Sequence, residues 1–480
     1  MMGEQAALVL FRNDLRLADN RALAAAAQSG KPVVAAFVLD QSDGVRPPGG
    51  ASRWWLHHSL FSLRNQLELL GTRLVLRRGP MERVADWLIA ESGADAVLWN
   101  RRYDPGGSAA DVAMENALRE RRIGAESFEG QLLHEPSRLR TGSGSAYKVF
   151  TPFWNALSMA PEPRDPIDAP TALREFSREI VSETLDDLLP LPTAPDWAEG
   201  MRESWTPGEA GAHARLDDFL HGDLDTYDEG RDFPGRRSTS RLSPHLAHGE
   251  ITPHQVLAAL KQPGLTASST DIATFRREIG WREFCHHLLF HNPGLHEENF
   301  QAGFDAFPWL SDRQAFDAWQ RGLTGYPIVD AGMRELWRTG TMHNRVRMIV
   351  ASFLTKDLLV DWREGERWFW DTLVDADPAS NPGNWQWVAG SGADAAPYFR
   401  IFNPVLQGER FDAEGDYVRR WVPELASLEN RCLHRPWTAP AAVLAQAGIK
   451  LGETYPDRIV DHAMARQRGL SAYGMMKGGQ

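Results

Sequence analysis

The chain has 480 residues and a formal net charge of −12, from 52 Lys and Arg against 64 Asp and Glu. That acidic balance excludes a surface built throughout to wrap nucleic acid, because phosphate binding is driven by basic side chains, but it leaves room for a local basic patch. No run of 18 apolar residues occurs, so no membrane span is expected. Met1-Met2-Gly3-Glu4 has no basic n-region or long apolar h-region, so secretion is not expected, and two cysteines, Cys285 and Cys432, fit a reducing compartment; the expected location is the cytoplasm.

Ala6-Ala7-Leu8-Val9-Leu10-Phe11 reads as a strand, followed by an Ala-rich helical segment at 20–28 and a second strand at Val33–Val38. The pattern recurs with Arg73–Leu76 as a strand, 81–91 as a helix, Ala96–Trp99 as a strand and 109–121 as a helix. Such alternation predicts a Rossmann-like α/β domain over 1–130, with a parallel sheet covered on both faces. The first turn has no G-x-G-x-x-G, so a dinucleotide site there is not supported. Seven prolines between 157 and 204 break regular structure, and 131–204 is expected to be a connector. Beyond 205 the strand pattern stops. Segments 212–222, 253–261, 271–290, 313–321, 329–338, 342–361 and 366–373 read as helices, which predicts an all-helical domain over 205–475. The Gly, Met and Lys end at 474–480 is expected to fray.

The most informative stretch runs from Thr341 to Trp387. Met342, Val346, Ile349, Val350, Phe353 and Leu354 form one apolar helical stripe, and Asn344, Arg347, Met348 and Ala351 share a partly polar face. A buried polar face needs partners; Asp375, Asp377 and Asn381 are candidates, and so is a bound polar ligand. Thr239-Ser240-Arg241-Leu242-Ser243-Pro244 is a hydroxyl-rich turn that suits an anion, or equally an ordinary helix cap. On segment 271–290, Glu278, Trp281, Arg282 and Cys285 share a face that suits a flat, carbonyl-rich ligand, or forms an amphipathic flank with an Arg–Glu pair. Of 18 Trp, those at 309, 362, 385 and 387 read by composition alone as core aromatics.

Together these blocks resemble the DNA photolyase and cryptochrome family, nearest its class I cyclobutane pyrimidine dimer photolyases. Phe11-Arg12-Asn13-Asp14-Leu15-Arg16-Leu17 is similar to the family's opening, and Lys148-Val149-Phe150-Thr151-Pro152-Phe153-Trp154 to its lead into the connector. The resemblance implies FAD bound by Tyr227, Thr239, Ser240, Leu242, Ser243, Arg282, Asn344, Arg347, Asp375, Asp377 and Asn381. It implies Glu278, Trp281, Asn344, Met348 and Trp387 around a flipped-out lesion, and Trp385, Trp362 and Trp309 as an electron path to the surface. Arg231, Arg345 and Arg400 would hold the DNA side. The implied activity is light-driven repair of cyclobutane pyrimidine dimers in DNA by electron transfer from excited reduced FAD. Alternatives are a (6-4) photolyase, disfavoured by Met348 where that group has a His, and a signalling cryptochrome, disfavoured by the intact pocket set and the absence of a long tail. The resemblance also implies an antenna chromophore, 5,10-methenyltetrahydrofolate or 8-hydroxy-5-deazaflavin, in or beside the α/β domain. Asp104-Pro105-Gly106-Gly107 lies where folate-binding relatives carry polar ligands, and its two glycines argue against that folate geometry. No metal is expected, and a monomer is the default.

Overall fold

The computed structural model describes residues 5–395 and 399–478. The leader reading at Met1–Glu4 lies outside them, as do Gly479 and Gln480. Five parallel strands, β1 (Ala7–Phe11), β2 (Val33–Asp40), β3 (Leu74–Gly79), β4 (Ala96–Asn100) and β5 (Gly124–Phe128), form one sheet in the order β3-β2-β1-β4-β5. Strand side chains alternate, so Ala7, Val9 and Phe11 join one apolar layer with Leu23 and Leu60, while Leu8 and Leu10 join the other with Val84 and Leu88. Both faces are therefore buried under helices α1 (Arg21–Gln28), α2 (Gly50–Leu69), α3 (Met81–Ser92) and α4 (Pro105–Glu120). The sequence reading lacks β5, a Gly-Ala-Glu-Ser-Phe edge strand of mixed polarity, and α2. It also starts α4 late: Asp104 caps that helix by accepting from Gly107 N, and Pro105 opens it.

Past helix Phe150–Met159 the proline-rich chain returns along the sheet. Val33 N donates to Arg174 O, Leu173 N to Leu70 O and Glu183 N to Leu76 O, at 2.9, 2.8 and 2.9 Å. From Glu199 onward the described chain is helices and loops. Its core gathers the expected stripe of Met342, Val346, Ile349, Val350, Phe353 and Leu354, together with Trp362 and Trp385. That stretch is not one helix over 342–361. An α-helix spans Asn344–Ser352 with His343 as its cap, and a π turn follows at Phe353–Asp357. The helix ends because its last turn is bound sideways: Lys356 donates to Ala389 O, and Asp357 meets His462 Nδ1 at 2.5 Å. Leu359 then turns left-handed at φ 55°. Of the end expected to fray, the described part through Gly478 is helical: helix His462–Gly478 packs Ala472 and Met476 against Phe304 and Leu359.

The two parts are pinned together by buried polar contacts. Glu209 accepts from Leu17 N and Ala18 N at 2.8 and 2.9 Å, and Arg16 donates to Gly249 O at 2.8 Å. No helix among the described residues is long and apolar enough to cross a membrane.

Candidate functional site

The turn at 239–243 leads into the short helix Ser243–Ala247. Arg241 takes a left-handed backbone (φ 53°), which lays its guanidinium 4.3 Å over the Trp205 ring. Burial, then repulsion from Arg215 and Arg237 that outweighs Glu335, pushes Arg241 down to about 10. Guanidiniums that repel one another beside a hydroxyl-bearing turn suit a polyanion such as a diphosphate. Sequence reasoning named Arg241 only as part of the turn and passed over Arg215 and Arg237; no local pattern marks Arg215, which reaches the turn only on folding.

A chain of contacts joins this turn to the central helix. Ser243 Oγ donates to Asp375 Oδ2 at 2.6 Å, and Arg347 Nη2 donates to both Asp375 oxygens at 2.8 and 3.1 Å. Of the three partners expected for the polar face, Asp375 alone meets it. Asp377 instead accepts from Ala379 N and Ser380 N, and lies 3.4 Å from His286 Nε2. Burial opposes its charge, yet His286, Arg282 and the Ser380 N–H hold the carboxyl well below the usual carboxylate range. Asn381 gives its Nδ2 to Glu366 O and Oε1 at 3.0 and 2.8 Å. At the helix start, Arg345 pairs with Asp232 at 2.7 Å, and Asn344 is exposed. Burial, helped by Arg345 and Arg347 and opposed by Asp232, pushes His343 down to about 4, so the capping ring is neutral at pH 7.

Helix Ser269–His291 supplies the facing wall. Arg231 Nη1 donates to Glu278 Oε1 at 2.6 Å. Trp281 stacks on Phe150 with centroids 3.6 Å apart and planes 6° from parallel, which explains the apolar lead at 148–154: it backs one face of the indole. Arg282 Nη1 donates to Gln131 O at 2.9 Å, while its buried Nη2 has no partner among the described residues. Tyr227 is buried against Phe219 and Phe275. Met348 Sδ lies 3.9 Å from Arg345 Nη1, and Trp387 Nε1 donates to Asp394 O at 3.1 Å.

Trp385 and Trp362 are buried in the helical core, with Trp309 packed at its edge. Among the described residues no ring contact links these three directly; Trp385 touches Phe369 at 5.0 Å and Trp319 at 6.2 Å between centroids. Gly365 is needed for this packing, since a Cβ there would lie 2.2 Å from Trp385 Cη2. Arg400 is exposed, with its guanidinium 5.6 Å from the Phe402 ring.

In the α/β domain the strand order reverses between β1 and β4, where such sheets bind ligands at the strands' carboxyl ends. Side chains fill that position. Arg12 donates to both Asp111 oxygens at 3.2 Å and to Asn100 O at 2.7 Å. Arg102 bridges Asp40 and Asp111, each at 2.8 Å, and Asn100 Nδ2 donates to Asp14 at 2.7 Å. Gly106 packs directly on the chain at Gly44, where a Cβ would lie 2.1 Å from Gly44 O, so this glycine serves backbone approach.

The donor set fits FAD. Among the described residues, Arg282 Nη2, His286 Nδ1 and Trp385 Nε1 are buried without hydrogen-bond partners, and each such group costs about 1–3 kcal/mol unless a ligand satisfies it. A helical domain with an arginine-rich turn, a charged helix face and an aromatic wall, fastened to a parallel α/β domain, defines a flavoprotein of two domains. Comparison with known proteins agrees. Residues 275–475 match the family described as the FAD binding domain of DNA photolyase, and residues 7–171 match DNA photolyase. The deoxyribodipyrimidine photo-lyase of Agrobacterium fabrum is 58% identical over 98% of each chain. Cryptochrome-1 of Arabidopsis thaliana is 40% identical over 96% of this chain and 69% of its own. A solved bacterial class III photolyase from Agrobacterium tumefaciens superposes with a TM-score of 0.97 at 57% identity, covering 99% of this chain and 98% of that one. The chain belongs to the DNA photolyase and cryptochrome family. It is an enzyme of that family's lyase type, with FAD as cofactor. The Agrobacterium tumefaciens structure is of a class III photolyase, whereas the motifs resemble class I.

Proposed function

We propose that this enzyme repairs cyclobutane pyrimidine dimers in DNA under blue light. The observation that carries the reading is Trp281: Phe150 backs one face of a half-buried indole, and the Arg231–Glu278 pair stands one helical turn away. An indole fixed in this way offers a platform for a flat base, and the Glu278 carboxylate, held by Arg231, accepts from a pyrimidine N–H. Enzymes that take a base out of the stack, photolyases among them, gain selectivity because damaged bases unstack at lower cost. Exposed Arg400 adds positive charge for the DNA backbone on an otherwise acidic body, beside Arg345, whose charge Asp232 balances.

Arg347, Asp375, Ser243 and Asn381 would hold FAD, and the bound, reduced cofactor would supply light-driven electron transfer to the dimer. The protein's part is to place and shield. Arg347, held by Asp375, puts fixed positive charge beside the cofactor, and Ser243 ties that carboxylate to the phosphate-binding turn. Met348 and Trp387 complete the wall around the lesion. Trp385, Trp362 and Trp309 serve to reduce the cofactor from the surface.

The test is direct. The photoreduced protein is mixed with a thymine-dimer oligonucleotide, illuminated, and followed by the return of thymine absorbance, with a dark control. Light-dependent recovery supports the reading. No recovery with bound, reducible FAD refutes it and turns attention to a (6-4) substrate or to signalling.

A further inference from the structure

One residue of the α/β domain reaches the edge of the flavin site. Arg46 lies on the loop between β2 and α2, and its Nη1 and Nη2 donate to Glu366 Oε1 and Oε2 at 2.6 and 2.8 Å. Its guanidinium stacks 3.9 Å over the Trp370 ring. The Glu366 side chain is 1% exposed and that of Arg46 24% exposed, so the pair is shielded mainly on the glutamate side. The same Oε1, together with Glu366 O, accepts from Asn381 Nδ2. Both amide N–H groups of Asn381 are thereby committed to Glu366. Its Oδ1 meets no donor among the described residues, so on its other side Asn381 can present only an acceptor.

We propose that Arg46 is a positioning residue for the flavin: by holding the Glu366 carboxylate fork to fork, it fixes the Asn381 amide with its carbonyl oxygen turned toward the cofactor. The proposal rests on Asn381 as an FAD contact. A carboxylate only accepts, so Asn381 must face it with N–H groups. Without Arg46, the buried Glu366 carboxylate has no cation and is driven to turn toward water, drawing Oε1 away from Asn381 Nδ2. The amide is then free to swing, and its acceptor is no longer held in place. Reduction adds hydrogen to a ring nitrogen of the flavin, so a fixed acceptor favours the reduced ring and a loosened one favours its oxidation. The α/β domain would in this way set the redox poise of a cofactor bound by the other domain.

The experiment uses FAD-loaded wild type, Arg46→Met, the double variant Arg46→Met/Glu366→Gln, and Asn381→Ala. The readouts are the midpoint potential of the bound flavin and its rate of reoxidation in air after photoreduction, with unfolding midpoints measured alongside. Arg46→Met should reoxidise about tenfold faster, the size expected for one hydrogen bond to a charged group. The double variant should return to within about twofold of wild type, because the neutral amide introduced by Glu366→Gln leaves no unpaired charge and still accepts from Asn381. A folded Arg46→Met protein that reoxidises at the wild-type rate overturns the proposal. So does a double variant as impaired as the single one, which would make Arg46 a tie between domains only. Wild-type behaviour of Asn381→Ala would remove Asn381 from the flavin and the proposal with it, while dimer repair is judged separately in its own assay.

Discussion

Replacing Asp375 with Asn isolates one charge at the centre of the site. The amide keeps the shape of the carboxylate and can still accept from Ser243 Oγ, but it loses the ion pair with Arg347. The Asp375 side chain is 3% exposed and Arg347 25% exposed, so the pair is dry on one side and wetted on the other. A hydrogen bond to a charged group contributes about 1.5–3 kcal/mol, and water reaching Arg347 returns part of the loss. We take about 2 kcal/mol. At about 1.4 kcal/mol per decade, that is roughly thirtyfold weaker FAD binding if the pair is needed mainly with the cofactor in place. Titration of apo-protein with FAD, followed by flavin fluorescence, reads the affinity; urea unfolding of the apo-protein reads any loss without cofactor. Asp375→Asn with wild-type affinity and an unchanged urea midpoint would refute the idea that this pair organises the site.

Trp281→Ala should weaken binding of a dimer-containing oligonucleotide about tenfold while leaving the undamaged one unaffected, as expected for loss of one stacking platform; equal losses on both would contradict its role at the lesion. Arg400→Ala should weaken binding to all sequences and lower the slope of log affinity against log salt by about 1, measured by anisotropy at several salt concentrations. Gly365→Ala should displace Trp385 and slow photoreduction of bound FAD in an absorbance time course. Burial pushes the Glu283 carboxyl up to about 7 from an ordinary 4.5, although Arg282 and the Leu133 and His134 N–H groups oppose it. The folded protein therefore holds that proton more tightly than the unfolded chain. This favours folding fully below about pH 4.5 and is lost as pH rises to about 7. Glu283→Gln should flatten stability across that window, by on the order of 3 kcal/mol, in urea titrations at stepped pH.

Local periodicity made much of this protein legible. Strands β1 to β4 show as short apolar runs because their residues are buried on both faces, and the stripe from Met342 to Leu354 shows because one side of a helix meets the core. The types of residue at the site were visible too: Asp375, Arg347 and Ser243 stood out singly, and the structure links them through Asp375. Strand β5 was hidden because a polar edge strand has no apolar pattern. The break after Ser352 was hidden because its cause lies in Ala389 and His462, far along the chain.

The order of residues was enough to establish the two-part architecture, most of the elements and the chemistry available at the site, because these follow from neighbours a few residues apart. Packing decided who meets whom. It gave Asp377 to His286 rather than to the central helix, brought Arg215 and Arg237 up to Arg241, and set Arg46 against Glu366 across 320 residues. Those outcomes depend on which charged groups are buried together, and burial of a charge is settled only when distant segments pack and must satisfy one another's hydrogen bonds.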